Sequence, residues 1–300
     1  MDVIEILKKI DFTDEEIALY KKYKAIAGDV LTPIKSDYLA KKFDLIKAME
    51  LAEATLPDIN NLTVRLLFML ECTEEIHNGY IKAGLGYDTF ILAMRDIRCK
   101  VNESLAINNV FGLRPTSWFD RFVFTYCFPF KRLQFDLHPF PHPTVKAAGH
   151  TLEKGDFALS CHIPSMGRLL HDDCIESYKQ AYAYFEDKLK DGVLPIVCYS
   201  WLLYPRYLEA FGLDSNTGLF AGDFHIFSTI TSEDRKGDIY SRVFNTDDLT
   251  APLDTLPQNT SMQRSFVEYI KKHNHAYGFS RGIIFFDGEK VLTKNKNCKR

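Results

Sequence analysis

The segment from Phe157 to Leu203 constrains the fold more than any other part of the chain. It reads as a strand (Phe157 to Ile163), a tight loop (Pro164-Ser165-Met166-Gly167), a helix (Asp172 to Leu189) and a second strand (Leu194 to Trp201). A strand that ends in a glycine turn and feeds a helix presents backbone N–H groups to an anion. The second strand brings Cys198, Ser200 and Trp201 to the same end of the sheet. The pattern predicts a site for a phosphorylated ligand without naming it.

Composition narrows the function classes. A chain of 300 residues can form one large domain or two ordinary ones. Its hydrophobic content of 46% and charged content of 26% are those of a soluble globular protein. The net charge of −3, with no Lys/Arg cluster in the folded part, argues against a nucleic-acid partner. No apolar run approaches the ~20 residues that span a bilayer, so no membrane partner is expected. The start, Met1-Asp2-Val3-Ile4-Glu5, lacks the pattern of a signal peptide. Seven scattered cysteines without C-x-x-C spacing suit free thiols in a reducing compartment, and the cytoplasm is the expected location. The basic end, Lys294 to Arg300, reads as a solvated tail. Nothing in the sequence reports an oligomeric state.

Along the chain, the first 125 or so residues read as helical. Thr13 with Glu16 forms a capping box that opens a helix to about Ala25, and Ser36 is placed to cap a second helix reaching about Glu53. Leu62, Leu66, Met69 and Leu70 mark a third; Phe90, Met94, Ile97, Val101 and Leu105 mark a fourth. After an aromatic stretch from Phe119 to Phe130, β-type segments follow at Arg132 to Leu137, Phe157 to Ile163, Leu194 to Leu203, Leu219 to Ile230, Ile239 to Phe244 and Gly282 to Phe286. Helices are expected between them at Asp172 to Leu189, Pro205 to Phe211 and Thr260 to His273, the last opened by a Thr260/Gln263 capping box. The order predicts an α+β protein, with an all-helical domain over 1–127 and a mixed-sheet α/β domain over 128–300.

Several side chains could carry chemistry. His162 ends a strand beside the loop, where a neutral imidazole could take a proton from an amine or a water; a structural role in the sheet fits the position equally. Cys161 or Cys198 with His162 would suit a thiol-dependent enzyme, although buried inert thiols are the simpler reading. Cys174 has Asp172 and Asp173 beside it, which oppose a thiolate. His171 and Cys174 are one turn apart but lack further ligands, so no metal is expected. Tyr204 and Tyr207 follow the second strand; either phenol could protonate a leaving thiolate, or both could be packed corner aromatics. Ile175, Tyr178, Tyr182, Phe185 and Leu189 form an apolar stripe for packing on the sheet.

Several segments together resemble a group of uncharacterised bacterial two-domain proteins classed as acyltransferases, in which an N-acyltransferase N-terminal helical domain precedes a GNAT-like C-terminal domain. They are Gly112-Leu113, Trp118-Phe119, Arg132-Leu133-Gln134-Phe135, Cys161-His162-Ile163-Pro164-x-x-Gly167-x-Leu169, Cys198-Tyr199-Ser200-Trp201-Leu202-Leu203, Asp214-Ser215-Asn216 and Leu256-Pro257-x-x-Thr260-Ser261-x-Gln263-Arg264. The resemblance covers roughly residues 80 to 285. It implies two splayed neighbouring strands with acyl-coenzyme A, most simply acetyl-coenzyme A, between them. Ser165, Met166, Gly167 and Arg168 would then meet the pyrophosphate, and Cys198 and Ser200 would flank the cofactor. An amine acceptor would attack the thioester with His162 as base and Tyr204 or Tyr207 as acid. The family loop reads Gln/Arg-x-x-Gly-x-Gly/Ala, whereas this chain keeps Gly167 alone and places Asp172 and Asp173 at the helix start. That departure suits a second reading, a catalytically degenerate GNAT-fold module that binds a ligand or a partner.

Overall fold

The structure is a computed structural model that describes residues 1–114, 116–273 and 276–294. The tail expected beyond Lys294 lies outside the described residues. The chain divides into two compact units, Met1–Pro129 and Phe130–Arg300.

The first unit is helical: α1 (Val3–Lys9), α2 (Asp14–Ala27), α3 (Thr32–Leu39), α4 (Leu45–Thr55), α5 (Asn61–Glu71), α6 (Thr73–Lys82), α7 (Gly86–Asn108) and α8 (Asp120–Val123). Thr13 and Glu16 form the expected box at α2. Ser36 does not cap a helix. It lies inside α3 and its hydroxyl donates to the Thr32 carbonyl at 3.0 Å, while Asp44 caps the next helix by accepting the Lys47 N–H. The apolar faces of α4, α5 and α7 meet in one core that holds Met49, Leu66, Phe68, Phe90, Ile97 and Phe119.

The boundary between the units falls within β1 (Cys127–Phe130). Beyond it come β2 (Leu133–Pro139), β3 (Val145–Ala147), β4 (His150–Leu152), β5 (Phe157–His162), α9 (His171–Tyr184), β6 (Leu194–Ser200), α10 (Leu208–Phe211), α11 (Asn216–Gly222), β7 (His225–Thr231), α12 (Lys236–Val243), α13 (Ser261–Lys272) and β8 (Gly278–Phe286). The main sheet has the order β1-β2-β5-β6-β8-β7, and β3 and β4 form a separate hairpin. Only β5 and β6 run parallel among its paired strands with described register; β2–β5, β6–β8 and β7–β8 are antiparallel.

Two segments expected to be strands fold otherwise. Ser215 accepts the Gly218 N–H and starts α11, so the strand expected from Leu219 begins only at His225. Ile239, Tyr240, Val243 and Phe244 recur at helical spacing and are buried along α12. Along α9 the buried stripe is Cys174, Tyr178, Ala181 and Phe185, with Ile175 and Tyr182 at its margins.

Strand pleating assigns the two faces of the sheet. Residues opposite one another share a face, so Gln134, Asp136, Ser160, His162, Val197, Tyr199, Ile283 and Arg281 point one way. Phe135, Cys161, Cys198, Ser200 and Ser280 point the other way. The β6–β8–β7 edge ends at a close approach of backbone to ring, because a Cβ on Gly278 would overlap the Tyr204 ring. Gly278→Ala should therefore lower stability by about 1–3 kcal/mol. A shift of the chemical-denaturation midpoint at constant m checks this.

Candidate active site

Pairing between β5 and β6 runs from Leu159↔Ile196 to Cys161↔Cys198. β6 then continues through Tyr199 and Ser200, held on its other side by Arg281 and Ser280 of β8. The parallel pairing thus opens after Cys161↔Cys198, and the β5 side of Tyr199 and Ser200 has no strand partner among the described residues.

His162 stands at this opening, 27% exposed. Its Nε2–H donates to Asp136 Oδ1 at 3.0 Å. An ionised carboxylate only accepts, so the contact fixes the proton on Nε2 and makes Nδ1 the basic nitrogen. Asp136 faces Ser160 in the register and reaches His162 diagonally across β2 and β5. Gln134, directly opposite His162, is buried, and its Nε2 has no partner among the described residues.

Tyr199 lies on the same face, one residue past the last β5–β6 pair. Its hydroxyl is buried without a hydrogen-bond partner among the described residues. Burial pushes the phenol up to about 12, the facing Arg281 guanidinium pulls it back, and Cys198 and Asp136 add to the rise. The His142 ring packs 5.6 Å from the Tyr199 ring. Burial, then the charges of Arg281 and His138, hold that imidazole below its usual range. In the proline-rich loop after β2, Phe140 and His142 roof this face of the sheet against Phe227.

The loop from Pro164 to Leu170 is tethered from beneath by Arg132. Its Nε donates to the Arg168 carbonyl at 3.1 Å and a terminal nitrogen donates to the Pro164 carbonyl at 3.0 Å. Two carbonyl dipoles that would repel an anion are thereby turned toward a buried cation. Ser165, Gly167 and Arg168 are exposed and Met166 is half-buried. Gly167 has φ +53° with open space around it, a conformation and a surface that glycine supplies at least cost. α9 begins after Leu170, which gives no side-chain cap. Of the two acidic residues in its first turn, Asp173 lies 3.5 Å from Lys131 Nζ. His171 Nε2 contacts Asp223 Oδ2 at 2.9 Å, so it anchors the helix start instead of serving with Cys174 as a metal ligand pair. Burial raises the Asp223 carboxyl against the pull of His171.

The other expected site residues are placed differently. Cys198 is fully buried on the opposite face, beside Cys161. Burial pushes the Cys161 thiol far up and Cys174 to about 12, which removes the thiolate a thiol-dependent enzyme needs. Ser200 accepts the Leu202 N–H at 3.1 Å and so shapes the turn after β6. Tyr204 and Tyr207 sit in an aromatic cluster with Trp201, Phe266 and Tyr269. Their hydroxyls are engaged: Tyr204 with Thr231 Oγ1 at 2.7 Å, and Tyr207 as acceptor of the Gly278 N–H at 2.9 Å. Sequence reasoning missed Asp136 because its partner is 26 positions away. Strand alternation was the signal for Tyr199, since a residue between Cys198 and Ser200 must face the other way.

A separate cavity of about 330 Å³ lies at the N-terminal ends of β5 and β6, lined by His150, Phe157, Lys188, Lys190 and Phe285. It is the opposite end of the parallel pair from His162.

The family model of the GNAT-like C-terminal domain matches residues 127–284. No curated protein matches the chain. Among solved structures, an acyltransferase in complex with decanoyl-CoA and teicoplanin is 17% identical, with TM-score 0.69 over 94% of this chain and 86% of that one. A mutant acyltransferase in complex with octanoyl-CoA is 16% identical, with TM-score 0.69 over 93% and 86%. An acyltransferase in complex with CoA and 10C-teicoplanin is 16% identical, with TM-score 0.63 over 94% and 99%. At these identities the likeness is one of fold.

Proposed function

Because the chain belongs to the family of the GNAT-like C-terminal domain, we propose that it transfers an acyl group from acyl-coenzyme A to an amine. The observation that carries this reading is the end of the β5–β6 pairing, with the His162–Asp136 pair and the buried Tyr199 hydroxyl on one face beside it. The thioester would enter where β6 outruns β5, its pantetheine arm along the β5-facing side of the Tyr199 and Ser200 backbone, opposite their β8 partners. The pyrophosphate would meet the loop of Ser165, Met166, Gly167 and Arg168 and the first amides of α9, where the helix dipole favours an anion.

In this reading the amine nitrogen attacks the thioester carbonyl and His162 Nδ1 takes its proton. The C–S bond then breaks and Tyr199 gives its proton to the departing sulfur. The phenol is protonated through the neutral range, the form the step requires; burial, which pushes it up to about 12, makes the proton costlier to release and places its transfer after charge has built on the sulfur. Tyr199 fits this role better than Tyr204 or Tyr207, whose hydroxyls already serve packing. Tyr199→Phe should lower kcat about 10²-fold with little change in KM, the lower end of the range general acids contribute. Steady-state kinetics checks this, and an unchanged kcat would remove Tyr199 from the mechanism.

Acetyl is the acyl group that the family resemblance implies, and the solved acyltransferases with octanoyl- and decanoyl-CoA suggest longer chains as alternatives. Calorimetric titration with acetyl-, octanoyl- and decanoyl-CoA separates them. Absence of heat and of a thermal shift with all three would overturn the proposal.

A further inference from the structure

The helical unit contains a groove of about 380 Å³ with aromatic walls and acidic corners. Phe43, Phe124 and Tyr126 form the walls, and Asp44 and Asp120 stand at the edge. Tyr126 is 53% exposed, unusually open for a large aromatic. Lys41 already inserts an ammonium here: its Nζ lies 4.9 Å from the Phe124 ring centre, 6.0 Å from that of Tyr126 and 3.4 Å from the Tyr126 hydroxyl.

The backbone at Lys41 is also unusual. α3 ends with the Lys41 N–H on the Tyr38 carbonyl and the Lys42 N–H on the Asp37 carbonyl, with Lys41 at φ +57°. This bonding pattern favours glycine at the left-handed position, and a lysine there costs about 1 kcal/mol. A strained residue thus delivers a cation to an aromatic wall.

The carboxylates of the groove have Lys41 and the charge of Arg121 near them but no direct ion pair. Among the described residues neither Asp44 nor Asp120 has an ion-pair partner within 4.0 Å; Asp44 accepts the Lys47 N–H and Asp120 accepts the Tyr38 hydroxyl at 2.5 Å. Burial, with Asp44 adding to it, raises the Asp120 carboxyl against the pull of the Tyr38 hydrogen bond and the Arg121 charge. Aromatic faces attract cations and two carboxylates accept N–H bonds. Together they define a site with room for more positive charge than Lys41 brings.

We propose that this groove binds the ammonium group of a small organic amine, with Phe43, Phe124 and Tyr126 around the cation, Asp44 and Asp120 accepting its N–H bonds, and Lys41 withdrawing as it enters. This site is independent of acyl transfer.

The test follows backbone amide shifts of the full chain during titration with n-butylammonium, with n-butanol as the uncharged control. Butylammonium should shift signals of residues 41–44 and 124–126, and butanol should not. Lys41→Gly relieves the left-handed strain and removes the competing charge, so it should tighten binding about two- to fivefold, the factor expected for one exposed cation–π contact. Asp44→Asn retains a good helix cap and should weaken binding by a similar factor. The proposal is overturned by any of three results: no local shifts in either the native chain or Lys41→Gly, equal shifts with butanol, or no loss of affinity in Asp44→Asn.

Discussion

Replacing His162 by alanine should lower kcat/KM for acyl transfer about 10²- to 10⁴-fold, the span over which a positioned general base contributes. Calorimetric affinity for the acyl-CoA donor should stay within about twofold, because on the proposed path His162 meets the amine proton and no part of the coenzyme. Asp136→Asn should follow in the same direction by a smaller factor, since an amide oxygen can still accept the Nε2–H but no longer stabilises an imidazolium. This pair of variants also separates an enzyme from a degenerate GNAT-fold module. The module would bind acyl-CoA, show no turnover in the native chain and be indifferent to both changes. Full turnover in His162→Ala would exclude His162 as the base.

The largest effect on stability is expected at Tyr207. Its ring is fully buried, with centroids 5.1 Å from Phe266, 5.2 Å from Tyr269 and 4.8 Å from Tyr204. Truncation to alanine should cost about 3–5 kcal/mol, the range for large aromatic-to-alanine changes in cores. Tyr207→Phe keeps the packing and strands only the Gly278 N–H, for about 1–3 kcal/mol. Denaturation midpoints of the two variants measure the difference. Turnover per folded molecule decides the role of the hydroxyl: a packed corner leaves it unchanged in Tyr207→Phe, whereas a large drop would return Tyr207 to the chemistry.

Much of this architecture was legible in local patterns. Capping boxes at Thr13 and Thr260, helical spacing in the first unit and the strand–loop–helix–strand run from Phe157 all report interactions within a few residues. What the sequence concealed was set by distant partners. Ser36 looked like a cap until Asp44 proved the better one, and Ile239 to Phe244 looked like a strand until the core of α12 and α13 gave its apolar residues a helical face. The candidate site followed the same rule. His162 was visible as a strand-end imidazole, but the orienting carboxylate, the Arg132 tether and the buried Tyr199 hydroxyl depend on strand register that no local window contains.

That register makes β6 a ruler. It is matched residue for residue to β8 over seven positions, Leu194↔Phe286 to Ser200↔Ser280. Losing one residue from it would exchange the two faces, carrying Tyr199 among the buried thiols and a cysteine onto the face of His162. The loop from Ile163 to Leu170 has no such partner strand. Among chains of this architecture, insertions and deletions should therefore collect between β5 and α9, where ligand preference can drift, while the length of β6 stays invariant.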